Sequence, residues 1–498
     1  MDLQLTQILV FLGLTALIGF VTYWYCRGAR TEEDGQREYF LAGGGLNWYF
    51  VAGSITLTNL STDQLVGMNG NQMALLAWWE LAAVVGLLML CFLFIPVYYK
   101  YKCTTTTELL EKRYNDPHIR ALISILFLAG NVFIFLPAIL YGGSLFMQQM
   151  FGLESLNIYI IAIAFAVVGS AYAIFGGLRA VAVSDTFSGV LLLALALFIV
   201  WAALKAINFD FTGIPPERLT LIGDYDSPIP FATLFTGMLF IQMFYWSINQ
   251  TITQRAMASP SVKEAQKGIL AAAAIRLLIV PPIIVIPGII SYKLYGDIGD
   301  KAYGRIVGDL LPGFLSGAFA AAIAAAVLTT FNSILNASAA LWVCDIHETY
   351  INKKPNIKRL SLWVSISMVA LAFIMFPVFQ NSESLINKVQ EFYGFLSMPI
   401  LSAFIVGLLF KNVDAKAVII AVILGVLLYA FFTKIWPVLP GGNFIHMMAV
   451  TLIFAVSAAL LINRLIFGRK AEWDAHNVFG KEALSHQAPR RTFSLSAS

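Results

Sequence analysis

The chain has 498 residues, of which 59% are hydrophobic and 12% are charged, and its formal net charge is +4. Because soluble domains carry about 25% charged residues, this composition excludes an ordinary soluble enzyme and predicts a chain that crosses a membrane many times. The 4 cysteines form no C-x-x-C pair and the 5 histidines lack metal-ligand spacing, so the sequence offers neither a disulfide framework nor a zinc site.

Thirteen apolar windows predict thirteen transmembrane helices. The windows cover 4–25, 46–68, 77–99, 120–148, 155–175, 180–206, 231–250, 268–295, 313–341, 359–379, 385–410, 415–433 and 445–467. The first window has no Lys or Arg before it and no cleavage site after it, so we expect a retained helix. With the N-terminus outside, inner segments hold 24 Lys and Arg and outer segments 7, which predicts an outer N-terminus and a cytoplasmic C-terminus.

Two of the windows are interrupted by polar residues, "TNLSTDQ" (58–64) and "QMFYWSINQ" (242–250). Each opens a block of five windows, and because five is odd the second block enters the membrane inverted. Paired interrupted helices in two such halves indicate the binding site of a secondary transporter. The predicted organisation is an extra helix and loop (1–45), a first repeat (46–206), an outer loop (207–230), an inverted second repeat (231–410), two additional helices (411–468) and a disordered cytoplasmic tail (469–498).

An unwound stretch at Leu57–Leu60 would free backbone carbonyls that need partners inside the membrane. A hard cation such as Na⁺ accepts carbonyl and hydroxyl oxygens. The window 313–341 offers the adjacent hydroxyls of Thr329 and Thr330 beside a stripe of alanines that permits close helix packing. Alternatively, these hydroxyls bond back to carbonyls of their own helix, and the residues alone leave both interpretations open.

Sugar sites combine carboxylate and amide groups with an aromatic ring that stacks on the sugar. The polar candidates in or beside the windows are Gln64, Glu80, Gln242 and Gln390. The candidate rings are Tyr245, Trp246, Trp78 and Trp79. Aromatic residues also form belts at the membrane interface, and this alternative is strongest for the two tryptophans at a helix start.

Three carboxylates fall in or at the ends of apolar windows, namely Asp63, Glu80 and Asp185. A carboxylate near the bilayer centre costs about 2.5–3.5 kcal/mol, so each is expected at a helix end in water or facing a polar cavity. Asp63 sits in a polar cluster, which favours a functional role. The alternative is that it caps the broken helix, and it stands outside the predicted metal ligands.

Six stretches of the chain resemble the sodium:solute symporter family, within it the bacterial galactose symporter type, and they come in the family's order. They are "REYFLAGGGLNWYFVAGSITLTNLSTDQLVGMNG" (37–70), "CTTTTELLEKRYND" (103–116), "YAIFGGLRAVAVSDTFSG" (172–189), "FYWSINQTITQRAMASPSVKEAQKG" (244–268), "LTTFNSILNASAALWVCDIHETYI" (328–351) and "VQEFYGFLSMPIL" (389–401). The resemblance implies an all-α polytopic membrane protein whose LeuT-type core has two inverted five-helix repeats.

The resemblance also implies a Na⁺ site between the broken second span and the ninth span. Its ligands would be the backbone carbonyls of Leu57, Leu60 and Ala326 and the hydroxyls of Thr329 and Thr330. In the same comparison, Asp185 falls on a carboxylate of the ion's intracellular exit route.

For the sugar, the resemblance assigns hydrogen-bonding positions and an aromatic inner gate. The matching residues are Gln64, Glu80, Gln390 and, as the gate, Tyr245, while Gln242 stands where the galactose type has Asn. In two departures, Leu277 occupies the position of a sugar-contacting Lys, one residue after Arg276, and Ala83 replaces a Ser. The expected substrate is therefore a sugar or sugar-like polyol rather than galactose in particular.

The predicted function is Na⁺-coupled secondary active symport of this substrate by alternating access, in the plasma (inner) membrane. No enzyme motif, nucleic-acid partner or obligate protein partner is expected. One alternative is symport of an organic anion or amino acid. Glu80 disfavours an anion, whereas Arg276 favours one if it faces the cavity. The other alternative is a non-transporting sensor or channel on the same fold.

Overall fold

The computed structural model describes residues 3–26, 39–436 and 443–474, without the side chains of residues 3–5, 7, 8, 12, 25, 26 and 171–177. The helices are α1 (Leu3–Cys26), α2 (Trp48–Asn59), α3 (Thr62–Gly70), α4 (Ala74–Lys100), α5 (Glu108–Tyr114), α6 (Pro117–Met150), α7 (Ile158–Ala206), α8 (Pro216–Leu219), α9 (Gly237–Ser247), α10 (Gln250–Met257), α11 (Val262–Tyr295), α12 (Ala302–Leu310), α13 (Gly313–Tyr350), α14 (Ile357–Gln380), α15 (Leu385–Leu409), α16 (Ala415–Ile435) and α17 (Phe444–Leu465). Short 3₁₀ turns lie at Ala42–Gly44, Phe231–Phe235 and Gly299–Lys301.

The only strands in the described ranges are β1 (Phe410–Lys411) and β2 (Glu472–Trp473), which pair antiparallel. This ribbon ties the end of α15 to the chain after α17. The predicted disordered tail, 469–498, thus begins with residues that the structure describes, and from 475 onward it lies outside the described residues.

Each of the thirteen predicted windows falls on a described helix or on a pair of helices. Nine helical stretches are long and apolar enough to cross a membrane in the described part of the chain. Leu9–Trp24 and Ile158–Ser170 are shorter apolar stretches. The two remaining windows, 46–68 and 231–250, correspond to the helix pairs α2–α3 and α9–α10.

One helix is longer than the sequence predicts. The windows 155–175 and 180–206 imply a turn between two spans, but α7 is continuous over 49 residues. At a rise of about 1.5 Å per residue it is about 74 Å long, more than twice the thickness of a bilayer's hydrocarbon core. The sequence between the windows has no proline, and its Gly176–Gly177 pair lowers helix propensity without forbidding the helix.

Both predicted interruptions are confirmed as breaks in the helices. Between α2 and α3, Leu60 has φ −81° and ψ 66°, and Ser61 is extended at φ −107° and ψ −172°. Between α9 and α10, Asn249 leaves the helix at φ −58° and ψ 121° and caps α10 by accepting from the Thr251 amide at 2.9 Å. The first break is narrower than predicted, since Leu57 is still helical.

The helices around the breaks approach one another closely. At Gly86, α4 crosses α9 so tightly that an added Cβ would lie 2.2 Å from the carbonyl oxygen of Gln242. The alanines of α13 from Ala318 to Ala326 are buried, and α13 packs on α1, α7 and α10. Small side chains permit such approach where hydrophobic driving force between membrane helices is weak. The two breaks are thereby brought together in the centre of the bundle.

Candidate functional site

Two adjoining cavities lie at the breaks. The first, here called the amide cavity, is lined by Asn59, Asp63, Gln64, Met68, Trp79, Phe135, Ile241, Gln242, Tyr245, Trp246, Ile386, Val389, Gln390 and Tyr393. The second, here called the hydroxyl cavity, is lined by Thr58, Asn59, Ser61, Asp63, Phe135, Ile139, Tyr245, Asn249, Thr251, Thr330 and Ile334. They share Asn59, Asp63, Phe135 and Tyr245, so the carboxylate of Asp63 and the ring of Tyr245 stand at their junction.

Four of the five predicted substrate residues line the amide cavity, namely Gln64, Gln242, Tyr245 and Gln390. They come from α3, α9 and α15, and only the folded bundle brings them together. The fifth, Glu80, is completely buried and lies outside the lining. It nevertheless touches the site, because the Gln64 amide donates to Glu80 Oε1 at 2.6 Å.

The amide of Gln242 is oriented by two neighbouring groups. Its nitrogen donates to the Trp79 carbonyl at 2.8 Å, and its oxygen accepts from the Trp246 indole at 2.9 Å. The indole nitrogen of Trp79 itself is buried and has no hydrogen-bond partner. An unpaired buried donor at a cavity wall is costly unless a ligand or water satisfies it.

Tyr245 links the two breaks through an aromatic cluster. Its hydroxyl donates to Asn59 Oδ1 at 2.5 Å, and its ring lies 5.8 Å from the Tyr393 ring in an edge-to-face arrangement. The Asn249 amide donates to the Tyr393 hydroxyl at 2.8 Å. Asn59 at the first break and Asn249 at the second are therefore hydrogen-bonded to two rings that contact each other.

Arg276 belongs to this site although it was not among the predicted site residues. The guanidinium is fully buried and donates to Glu80 Oε1 at 2.6 Å, to Gln64 Oε1 at 2.9 Å and to the Thr56 carbonyl at 2.8 Å. The neighbouring Leu277 is 41% exposed and faces away from the bundle interior. The sequence feature that points to Arg276 is its position as an arginine inside an apolar window.

The predicted Na⁺ ligands are three backbone carbonyls and two side-chain hydroxyls. Leu57, Leu60 and Ala326 are completely buried. The Thr329 hydroxyl donates back to the Ala326 carbonyl at 3.2 Å, which is the alternative that the sequence left open. The Thr330 hydroxyl has no partner, is buried, and lines the hydroxyl cavity.

Carbonyl and hydroxyl oxygens are the groups that a small hard cation prefers, and of the five predicted ligands only Thr330 lines one of the two cavities. In the described ranges no group of three His, Cys, Asp or Glu side chains could hold a metal ion. An ion at the break would therefore rely on carbonyl and hydroxyl oxygens, and the Thr330 hydroxyl offers such an oxygen without a partner. Asp63, also at the junction of the cavities, accepts a short hydrogen bond from Ser61 at the N-terminus of α3.

Asp185 lies in a separate buried cluster beside the first break. It accepts from the Ser54 hydroxyl at 2.5 Å and from the Thr58 hydroxyl at 3.3 Å, and its carboxylate is 3.9 Å from Arg255 Nε. Arg255, which was not predicted, also donates to Ser54 at 2.8 Å and to Ser333. Because Thr58 lines the hydroxyl cavity and donates to Asp185, the cluster adjoins that cavity.

The comparison with protein families decides the identity of this architecture. The model described as the sodium:solute symporter family matches residues 39–425. The chain belongs to the sodium:solute symporter family.

Relatives of this symporter match along most of its length. An uncharacterized symporter of Escherichia coli (strain K12), YidK, is 33% identical over 485 residues, covering 92% of this chain and 83% of the relative. A sodium/glucose cotransporter of Vibrio parahaemolyticus is 29% identical over 496 residues, covering 91% of this chain and 89% of the relative.

Among solved structures, a Na⁺-coupled sialic acid symporter in a substrate-bound outward-open state matches with a TM-score of 0.79 at 18% identity, over 93% of this chain and 98% of that one. This likeness concerns the fold, which is the LeuT-type fold of membrane transporters. The protein is thus a multi-pass membrane symporter coupled to Na⁺.

Proposed function

We propose that this symporter carries a neutral sugar or sugar-like polyol together with Na⁺ by alternating access. The observation that supports this substrate class is the lining of the amide cavity. Three glutamines and Asn59 offer amide groups, Tyr245 and the tryptophans offer rings, and the lining includes no Lys or Arg. Amides donate and accept hydrogen bonds, as sugar hydroxyls do, and rings stack on the apolar face of a sugar.

The charges disfavour an anionic substrate. Arg276 is the cation nearest to the predicted substrate groups, and its charge is already compensated by Glu80 at 2.6 Å. Asp63 adds a carboxyl group to the lining, which offers no counter-charge to an anionic substrate. The homologous sodium/glucose cotransporter, by its name, supports a sugar as well.

In this proposal Na⁺ binds at the first break, held by the carbonyls of Leu57, Leu60 and Ala326 and the hydroxyls of Thr329 and Thr330. Bound there, it bridges α2 to α13 and stabilises the arrangement that receives the substrate. The unpaired hydroxyl of Thr330 supports this assignment. The Asp185 cluster, beginning at Thr58, would line the exit route of the ion.

The membrane potential supplies part of the energy for transport. One Na⁺ crossing about 100 mV releases about 2.3 kcal/mol, and each tenfold concentration gradient adds about 1.4 kcal/mol. The positive charges favour an outer N-terminus and a cytoplasmic C-terminus in the plasma (inner) membrane, with the two inverted repeats at 46–206 and 231–410.

Uptake of radiolabelled solutes into proteoliposomes tests the proposal. Neutral hexoses and polyols are compared with sialic acid, proline and a dicarboxylate, each with and without an inward Na⁺ gradient. We expect Na⁺-dependent accumulation of a neutral polyol and competition by its analogues. Uptake that is independent of Na⁺, or accumulation of an anion or amino acid alone, would contradict the proposal.

A further inference from the structure

The guanidinium of Arg276 joins both parts of the first broken helix to the second broken helix. From α11 it donates to the Thr56 carbonyl in the last turn of α2 and to Gln64 Oε1 in the first turn of α3. Its planar group lies 4.7 Å from the centre of the Trp246 ring on α9. A cation is stabilised both by the C-terminal carbonyls of a helix and by the face of an indole ring.

Arg276 and Glu80 together dictate which way the amide of Gln64 points. The Gln64 oxygen accepts from Arg276 at 2.9 Å, and its nitrogen donates to Glu80 at 2.6 Å. Rotating the amide by half a turn would place its NH₂ group against the guanidinium and its oxygen against the carboxylate. Both contacts would be repulsive, so one orientation is strongly preferred.

The fixed amide still has capacity for a substrate. Each amide carries two N–H donors and an oxygen with two lone pairs, and the ion pair uses one of each. Gln64 lines the amide cavity, whereas Arg276 and Glu80 lie behind it and are fully buried. The ion pair therefore reaches the cavity through Gln64.

We propose that Arg276 is a positioning residue, which with Glu80 fixes the amide of Gln64 and so determines which hydroxyl pattern of the substrate is accepted. The inference rests on the proposed function of the amide cavity. It also gives Leu277 no part in binding, because that side chain faces outward. A lysine could not replace Arg276, since a single ammonium lacks the planar fork that serves three acceptors at once.

A double-mutant cycle between Arg276 and Gln64 tests this role. The variants are R276K, Q64A and R276K/Q64A, with L277A as the matched neighbouring control. In proteoliposomes we expect R276K and Q64A each to raise the KM for the transported polyol about tenfold. The double variant should have the KM of Q64A, because Arg276 has no amide left to orient, and L277A should match the unmodified protein.

Two further measurements distinguish a positioning role of Arg276 from a general structural role. The Na⁺ concentration for half-maximal uptake should stay unchanged in R276K, and the ratio of KM values for two epimeric sugars should fall towards one. If R276K does not reach the membrane, the neutral pair R276Q/E80Q replaces it. Its amides can pair in either orientation, so the same loss of epimer discrimination is expected, again without further loss on adding Q64A.

Distinct outcomes would overturn distinct claims. Additive losses in the double variant would mean that Arg276 contacts the substrate itself, and an unchanged KM in R276K, or an equal rise in the Na⁺ requirement, would also refute positioning. Absence of Na⁺-dependent polyol uptake by the unmodified protein would overturn the proposed function and this inference together.

Discussion

Two of the arginine–carboxylate pairs inside this symporter differ in how many of their polar atoms have a hydrogen-bond partner. Glu80 pairs with Arg276 beside the amide cavity, but Glu80 Oε2 and Arg276 Nε have no hydrogen-bond partner. Asp345 of α13 pairs with Arg120 of α6 at 2.7 Å, and both of its oxygens are used. Its hydrogen-bond donors are Thr105, Thr107, Ser124 and Arg120.

The difference indicates different roles for the two pairs. The completed Asp345 network ties the loop before α5 to α6 and α13, and a fully satisfied buried network rigidifies what it joins. The Glu80 pair leaves a donor and an acceptor unsatisfied next to a cavity, at a cost that a purely structural pair would avoid. A buried pair whose polar atoms are all hydrogen-bonded therefore indicates a structural role, here called an anchor. A pair with unpaired atoms beside a cavity indicates a role in transport, here called a working site.

The largest expected effect is on the anchor. Asp345→Asn removes one of the two carboxylates that pair with Arg120, the other being Glu111. It also turns an amide donor towards the hydroxyls that now donate to the carboxylate. Breaking one partner of a buried pair costs about 3–5 kcal/mol, and we expect a loss of this size in the free energy of unfolding. Denaturant titration of the purified protein in detergent measures it.

The control for this prediction is Lys112→Met, which breaks a partly exposed pair with Glu108 at 2.7 Å. Such pairs contribute at most about 1 kcal/mol. An Asp345→Asn variant as stable as Lys112→Met would show that completeness does not identify an anchor.

A substitution in the working site, the Glu80–Arg276 pair, should reduce transport more than it reduces stability. Glu80→Gln removes the negative charge opposite Arg276. The guanidinium keeps its bonds to Gln64 and the Thr56 carbonyl and its contact with the Trp246 ring. Hydrogen bonds to charged groups contribute about 1.5–3 kcal/mol, so we expect polyol uptake (kcat/KM) to fall by about thirtyfold. The unfolding free energy should fall less than in Asp345→Asn. The reverse ranking in the two assays would refute the division of roles.

A smaller effect is expected at the unpaired hydroxyl of Thr330. Thr330→Val removes no hydrogen bond of the protein, so stability should hold, while the Na⁺ concentration for half-maximal uptake should rise about tenfold, or about 1.4 kcal/mol. Thr451→Val on α17 is a matched control, because its buried hydroxyl is also unpaired but lies outside both cavities. An equal change in both variants would mean that Thr330 is not an ion ligand.

Much of the fold could be predicted from hydropathy and from the polar residues in two windows. Asn249 marks the second break because its side chain competes for backbone amides, and the structure shows it capping α10. The continuity of α7 could not be predicted, since no local signal distinguishes a short turn from a Gly-containing helix. Window counts locate apolar residues, whereas helix ends depend on tertiary packing.

The candidate site was predicted less completely than the fold. Gln64 and Gln242 were found because amides are rare in apolar windows. The role of Arg276 depends on which face of α11 turns inward, and the structure settles this by burying Arg276 while exposing Leu277. Whether a carboxylate is paired, like Glu80, or lines a cavity, like Asp63, also depends on residues far away in the sequence.

Asp300 extends the comparison to a buried carboxylate that, in the described part of the chain, has no Lys or Arg partner. It lies in the turn Gly299–Lys301, where one oxygen accepts from the Leu385 amide at 2.7 Å and the other has no partner. Burial raises the pKa of Asp300 from its ordinary 3.8 to about 7. The folded chain therefore binds a proton that the unfolded chain releases between these two values.

The free energy of unfolding should accordingly rise as the pH falls through 7, and the stabilisation is lost as the pH rises. For this one group we expect a gain of about 0.8 kcal/mol between pH 8 and pH 6.5. Asp300→Asn should remove that gain. Asp309→Asn, which alters an exposed pair with Arg305 at 3.0 Å, should leave it intact. A gain that persists in Asp300→Asn would mean that Asp300 does not cause the pH dependence. The presence or absence of a cation partner would then not distinguish the buried carboxylates of this bundle.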